Sequence, residues 1–257
     1  MKDLTRDRLR TLGLAAGVGL GGLAFGYVLV FAAVIVLYYG FGYRPGPAVS
    51  VVLSAALLQG VAFGSVAYAY TRYRDAGDRF VAFHVPSLRQ LGLAVAGWLG
   101  TFAAYIAIAL AIQRSGAPTA SNEIANTGIQ HPEVLLLLLP ISFLLIGPGE
   151  ELLFRGVVQG TLRERFGPVA SIVIASVIFA SAHFLSLAGP FAGRVVTIAA
   201  LSVISLLLGA LYEYTDNLTV PALVHGAYDA TLFGLLYVSV VYGDQIQNAA
   251  NVPGLFG

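Results

Sequence analysis

The chain contains no cysteine, which excludes disulfides and thiolate metal ligands and leaves no mark of a redox compartment. It is also poor in charge. Its 257 residues include 14 Lys and Arg and 13 Asp and Glu, 11% in all, against about 25% in an ordinary soluble domain. The net charge of +1 is uninformative in sum, and no nucleic-acid partner is expected. Internal repeats and low-complexity tracts are lacking, as is the H-E-x-x-H pattern of helical zinc proteases. What fills the chain instead is apolar: 58% of residues are hydrophobic and mean hydropathy is +0.82.

A membrane-spanning helix needs about 20 mostly apolar residues. The sequence offers seven such stretches, at about 11–39, 48–71, 91–113, 134–158, 168–188, 193–212 and 219–242. The expected fold is therefore all-α, a polytopic transmembrane helical bundle in contact with membrane lipid, with little chain left for a soluble domain. A cytoplasmic N-terminus puts Lys2, Arg6, Arg8, Arg10, Arg72, Arg74, Arg79, Arg89, Arg155, Arg163 and Arg165 on the inner side, and Arg44, Arg114 and Arg194 on the outer. Eleven against three satisfies the positive-inside rule, although Arg155 belongs more to a span than to a loop. A multi-pass protein of the cell membrane is expected.

Tyr38, Tyr39, Tyr68, Tyr70, Tyr212, Tyr214 and Tyr242 mark span ends, as amphipathic rings do at headgroup level. The first apolar run far exceeds a signal-peptide core of about 7–15 residues and reads as a retained helix. Gly13, Gly17 and Gly21, with Gly22 and Gly26, give it the small-xxx-small spacing of close helix packing. Residues 72–90 read as an inner loop at the interface, with Phe80, Val81, Phe83 and Val85 among charges. His84 and His131 fall in loops and read as ordinary polar residues.

Against this background the run G-P-G-E-E-L-L-F-R is anomalous, because it places Glu150, Glu151 and Arg155 in one hydrophobic stretch. An ionised residue at mid-membrane costs about 2.5–3.5 kcal/mol on insertion scales, so such residues face protein cavities and mark function. Residues four apart share a helix face. Glu151 can thus pair with Arg155, while Glu150, turned by about 100°, is left for other work. F-A-S-A-H sets Phe179 under His183, and H-G-A-Y-D sets His225 over Asp229.

Measured from the inner ends of the expected spans at about 1.5 Å per residue, Glu150 lies roughly 12–15 Å deep, His225 about 9 Å, Asp229 about 15 Å and His183 about 22 Å. His183 is too deep for the rest, yet the set is compatible with one cavity opening toward the cytoplasm. A glutamate in such a cavity can take a proton from water, a histidine can share that water, and further polar groups can stabilise an oxyanion. Hydrolysis of an amide without a covalent intermediate would result.

The ordered set E-E-L-L-F-R at 150–155, F-A-S-A-H at 179–183 and H-G-A-Y-D at 225–229 resembles the three motifs of the CPBP intramembrane proteases. These comprise the type II CAAX prenyl endopeptidases and the Abi or bacteriocin-immunity proteins. The likeness covers residues 134–242, a protease core of four spans. Residues 1–133 carry three spans without a recognised motif, and 243–257 form a short tail. The resemblance implies that Glu150 activates water, Glu151 and Arg155 support it, His183 shares the water and His225 stabilises the oxyanion. Asp229 stands where asparagine is common, and an ionised aspartate cannot donate to an oxyanion.

It implies too a peptide or protein substrate, lipidated in the CAAX case; oligomeric state is not marked. Other readings of the same residues stay open. Glu150, His183 and His225 could bind Zn²⁺ with an open position for water, so that no cofactor is assigned. Intramembrane carboxylates and histidines also build proton relays in transporters, and a non-catalytic immunity or scaffold protein could use them for recognition.

Overall fold

Seven helices long and apolar enough to cross a membrane make up almost the whole computed structural model, which describes residues 2–75 and 77–250. They are Leu4–Gly40, Pro47–Tyr73, Leu88–Ser115, Pro132–Arg163, Pro168–Ser186, Phe191–Thr215 and Thr219–Gln245. The last helix continues to Ala250, into the segment read as a tail, whose residues 251–257 lie outside the described residues.

Local sequence explains where these helices start and stop. Pro47, Pro132 and Pro168 occupy first-turn positions, where the missing N–H costs nothing. Ser87 and Gln90 form a reciprocal capping box at the start of the third span, satisfying two otherwise orphaned donors. That helix ends at Gly116, whose φ of 64° is left-handed, and the sixth ends at Asp216 with φ 47°.

The connections gather into two faces. On one, Arg74 binds Glu164 at 2.6 Å, Arg163 binds Glu213 at 2.9 Å, Asn217 donates to the His84 carbonyl, and the Leu218 amide donates to the Ala82 carbonyl. Arg8 lies over the Phe166 ring on the same side. On the other face, Ser121–Asn122 pairs antiparallel with Leu187–Ala188, and the Ala120 amide donates to Thr197 Oγ1. A short helix, Glu123–Gln130, completes that side.

The 72–90 segment does not lie flat on the interface as its pattern suggests. Phe80 is buried against Tyr70, Gly156 and Gly160, and only part of the segment, with Val85 at 95% exposure, faces outward. Burying one phenylalanine in the bundle gains more apolar contact than an interfacial position does. In the first span only the Gly22 and Gly26 part of the glycine pattern packs closely. A Cβ on Gly13, Gly17 or Gly21 would meet nothing, whereas one on Gly22 would press on Leu153 and one on Gly26 on Leu58.

The fourth span is irregular by construction. It carries Pro140 within the helix, π-helical turns at Ser142–Ile146 and Leu152–Gln159, and Gly147-Pro148-Gly149 between them. Such π turns form where an i to i−4 ladder is interrupted and are frequent at functional sites. A Cβ at Gly149 would collide with the Gln59 carbonyl oxygen of the second span. Gly149→Ala is therefore expected to lower stability by about 1–3 kcal/mol through overpacking, as a fall in the thermal midpoint of the detergent-solubilised protein. An unchanged midpoint would show that the second and fourth spans do not meet so closely.

Candidate active site

The interrupted fourth span turns its two glutamates in different directions. Glu151, fully buried, lies 3.1 Å from Arg155 Nε through Oε2 and 2.9 Å from His225 Nδ1 through Oε1. Arg155, equally buried, donates from Nη2 to Ser205 Oγ at 3.0 Å, and its guanidinium stands over the Phe179 ring at 4.9 Å. The Arg155 Nε contact is ionic and off the hydrogen-bond direction, so Nε and Nη1 have no hydrogen-bond partner. The expected Glu151–Arg155 pair is present, and His225 is joined to it.

That joining gives His225 two kinds of carboxylate neighbour. The carboxylate that holds the His225 ring from behind is Glu151, from another helix, because it occupies Nδ1 at 2.9 Å. Asp229 Oδ2 instead faces Nε2 at 3.5 Å. A carboxylate can only accept, so Nδ1 carries the proton given to Glu151, and Nε2 is the nitrogen presented to the cavity. Glu150 Oε2 faces that same Nε2 from 3.8 Å.

Glu150 is 8% exposed, and its Oε2 has no hydrogen-bond partner. Its Oε1 accepts from Gln59 Nε2 at 3.4 Å. Gln59 is the residue that sequence reasoning missed: it is a lone amide in an apolar helix, and its contact spans 91 positions of sequence. The one available signal was a polar side chain within a membrane span.

His183 sits in the last turn of the fifth span, with Nδ1 3.1 Å from the Phe179 carbonyl. A carbonyl accepts, so Nδ1 is the donor and Nε2 is left as an acceptor. The Phe179 ring lies between the two histidines, with centroids 4.9 Å from His183 and 5.9 Å from His225. Phe179 thereby spaces the histidines and covers Arg155.

Glu150, Phe179, His183, His225 and Asp229 all line one cavity of about 1330 Å³, larger than the roughly 300–1000 Å³ of a typical small-molecule site. Apart from these groups its walls are mainly apolar, with Leu23, Leu58, Phe154 and Tyr228 among them. Glu151 and Arg155 stand behind the wall. The cavity does not run toward the N-terminal face. Its exposed lining residues include Tyr105, Thr119, Glu123, Leu185 and Ser239, at the face carrying the 116–131 connection.

Glu150, His183 and His225, the candidate metal set, do not converge on one point. Among the described residues, no group of three His, Asp or Glu side chains is arranged to hold an ion. Glu151 takes one His225 nitrogen, the other is shared by Glu150 and Asp229, and His183 is turned toward a backbone carbonyl.

Residues 132–231 match the Type II CAAX prenyl endopeptidase Rce1-like family. This part of the chain is similar to that family. The match spans the fourth to seventh helices and includes all seven residues singled out from the sequence. Uncharacterized protein YpbD of Bacillus subtilis (strain 168) is 38% identical over 99 residues, 38% of this chain and 43% of that protein. The chain thus matches less than half the length of that relative. No solved structure matches.

Proposed function

We propose that the chain is an intramembrane endopeptidase that hydrolyses a peptide bond with water activated by Glu150. The observation carrying this reading is that Glu150 lines the cavity and has a buried Oε2 without a hydrogen-bond partner that faces His225 Nε2. A carboxylate so placed is a base with an unoccupied lone pair.

In the proposed reaction, water lies between Glu150 Oε2 and the acceptor nitrogen of His183. Glu150 takes one water proton as the water oxygen attacks the scissile carbonyl carbon. His225, presenting Nε2–H, donates to the resulting oxyanion, a contact worth about 3–4 kcal/mol per donor in soluble proteases. Both ring nitrogens face carboxylate oxygens, an arrangement that accommodates a doubly protonated ring. The C–N bond then breaks as Glu150 returns its proton to the leaving amine. The products are a carboxylic acid and an amine, which pass one proton between them to become carboxylate and ammonium, and Glu150 is regenerated.

Asp229 enters this scheme as the second anion beside Nε2, holding the ring charge when Glu150 is protonated. Gln59 fixes the other Glu150 oxygen and so aims Oε2. The CAAX-type family makes a peptide near the end of a lipid-modified protein one substrate class. The large apolar cavity is compatible with any peptide bearing apolar side chains or a lipid chain.

The test is cleavage of a quenched fluorescent peptide library by the purified protein and by its Glu150→Gln variant, where only the former should cleave. An inactive wild type that captured a partner would favour the scaffold reading. Because the donors do not converge on an ion, chelation with EDTA followed by dialysis is expected to leave cleavage intact. Loss of activity with recovery on adding back Zn²⁺ alone would replace the glutamate mechanism with a metal one.

A further inference from the structure

The oxyanion of the proposed reaction has one assigned donor, and that donor is crowded. His225 Nε2 carries a single hydrogen, and Asp229 Oδ2 at 3.5 Å and Glu150 Oε2 at 3.8 Å both face it. Carboxylate oxygens only accept. Once Glu150 has taken the water proton, Asp229 still holds a charge of the oxyanion's own sign beside the same N–H. Charge developing on a carbonyl oxygen is stabilised by donors already aimed at it, so a neutral donor next to His225 offsets that repulsion.

Several polar side chains of the cavity lining have their hydrogens committed. Ser186 donates to the His183 carbonyl, Thr197 to the Ala120 carbonyl and Gln59 to Glu150. His183 gives its proton to the Phe179 carbonyl. The lining also holds three tyrosines, Tyr27, Tyr105 and Tyr228. Tyr27 and Tyr105 are exposed and belong to the first and third spans.

Tyr228 differs from both. It lies three residues after His225 on the same helix, a spacing that places two side chains on one face. Its ring is buried and meets Tyr105 edge-on, with centroids 6.2 Å apart at 75°. A buried tyrosine usually satisfies its hydroxyl, yet no described residue hydrogen-bonds this one, and the oxygen is not sealed in the interior. A fixed ring thus holds a free phenolic O–H at the wall that also carries His225.

From this geometry we infer that Tyr228 is a further catalytic residue: its hydroxyl donates, beside His225 Nε2–H, to the scissile carbonyl oxygen as that oxygen becomes negative. The assignment rests on the protease reading. No proton leaves the phenol. Its hydrogen bond tightens as water adds to the carbonyl carbon and the oxygen takes the electron pair. It relaxes when the C–N bond breaks and the C=O bond re-forms.

Tyr228→Phe tests this, because it removes one oxygen and keeps the ring against Tyr105. The probes are a quenched fluorescent peptide that the wild type cleaves and its thioamide counterpart, in which sulfur, a weak acceptor, replaces the scissile carbonyl oxygen. On the peptide, kcat is expected to fall about 10²–10³-fold, the usual cost of one oxyanion donor, with KM and the denaturation midpoint little changed. Cleavage of the thioamide should fall far less, so that the preference for oxygen over sulfur shrinks.

Retained activity, a raised KM with kcat kept, or equal losses on both probes overturns the role of Tyr228 and leaves the protease reading standing. A lowered midpoint matching the lost activity also overturns it, by assigning the hydroxyl to architecture. A wild type that cleaves no peptide, or a Glu150→Gln variant as active as the wild type, sinks the protease reading itself and this assignment with it.

Discussion

Replacing Arg155 with methionine is expected to cost about 3–5 kcal/mol of stability, the largest loss of any single substitution in this chain. Arg155 is fully buried and balances Glu151, which has no other cation beside it unless His225 is protonated. Methionine fills much of the same volume, so the loss measures an uncompensated carboxylate and not a cavity. Removing both charges tests this explanation. Glu151→Gln combined with Arg155→Met is expected to recover a large part of the stability, because an apolar or neutral replacement of a whole buried pair is often close to neutral.

The measurement is the denaturation midpoint of the detergent-solubilised variants, compared as a double-mutant cycle. If the single and double variants were equally destabilised, the stacking of the guanidinium on Phe179 and its bond to Ser205 would be the main contribution of Arg155. The charge pair would then be secondary. Activity separates the two further: the double variant should regain its fold but not its cleavage, because the neutral amide replacing the Glu151 carboxylate no longer offers His225 an ionised acceptor.

Much of this arrangement was legible in the sequence, for stated reasons. Seven apolar runs became seven spans, since length and hydropathy are set by the bilayer itself. Their ends moved outward, as where 91–113 became Leu88–Ser115, because capping groups such as Ser87 and Gly116 continue a helix past its apolar run. The different directions of Glu150 and Glu151 followed from helix geometry alone. The pairing of His225 with Glu151 did not, since neighbours on one helix say nothing about which carboxylate another helix brings to the ring. Gln59 was invisible for the same reason.

The direction of the cavity was the other hidden property. Depth measured along each helix placed His183 out of line with the rest. The discrepancy was real information: His183 ends its helix at the far face, so the polar groups follow a cavity that leads away from the arginine-rich side. Nothing in spacing within a span shows which end of a bundle is plugged; that depends on Phe80 folding in from a loop and on Leu218 at a helix start.

The largest expected effect on activity belongs to Glu150→Gln. Glutamine has the same shape and can keep a hydrogen bond to Gln59, but it cannot take a proton from water. The predicted result is a fall in kcat of about 10²–10⁴-fold, the usual contribution of a positioned general base, with KM little changed because the cavity walls that hold the peptide are untouched. Stability should move by less than about 1 kcal/mol, since Glu150 lacks the buried cation that makes Arg155 and Glu151 interdependent. A proportionate loss of fold and activity would assign Glu150 to architecture. A variant that cleaved at the wild-type rate would remove it from the chemistry altogether, leaving His183 and Asp229 to be tried as the base. Only a collapse of kcat in a well-folded protein fits a cavity-lining glutamate whose second oxygen is buried without a hydrogen bond.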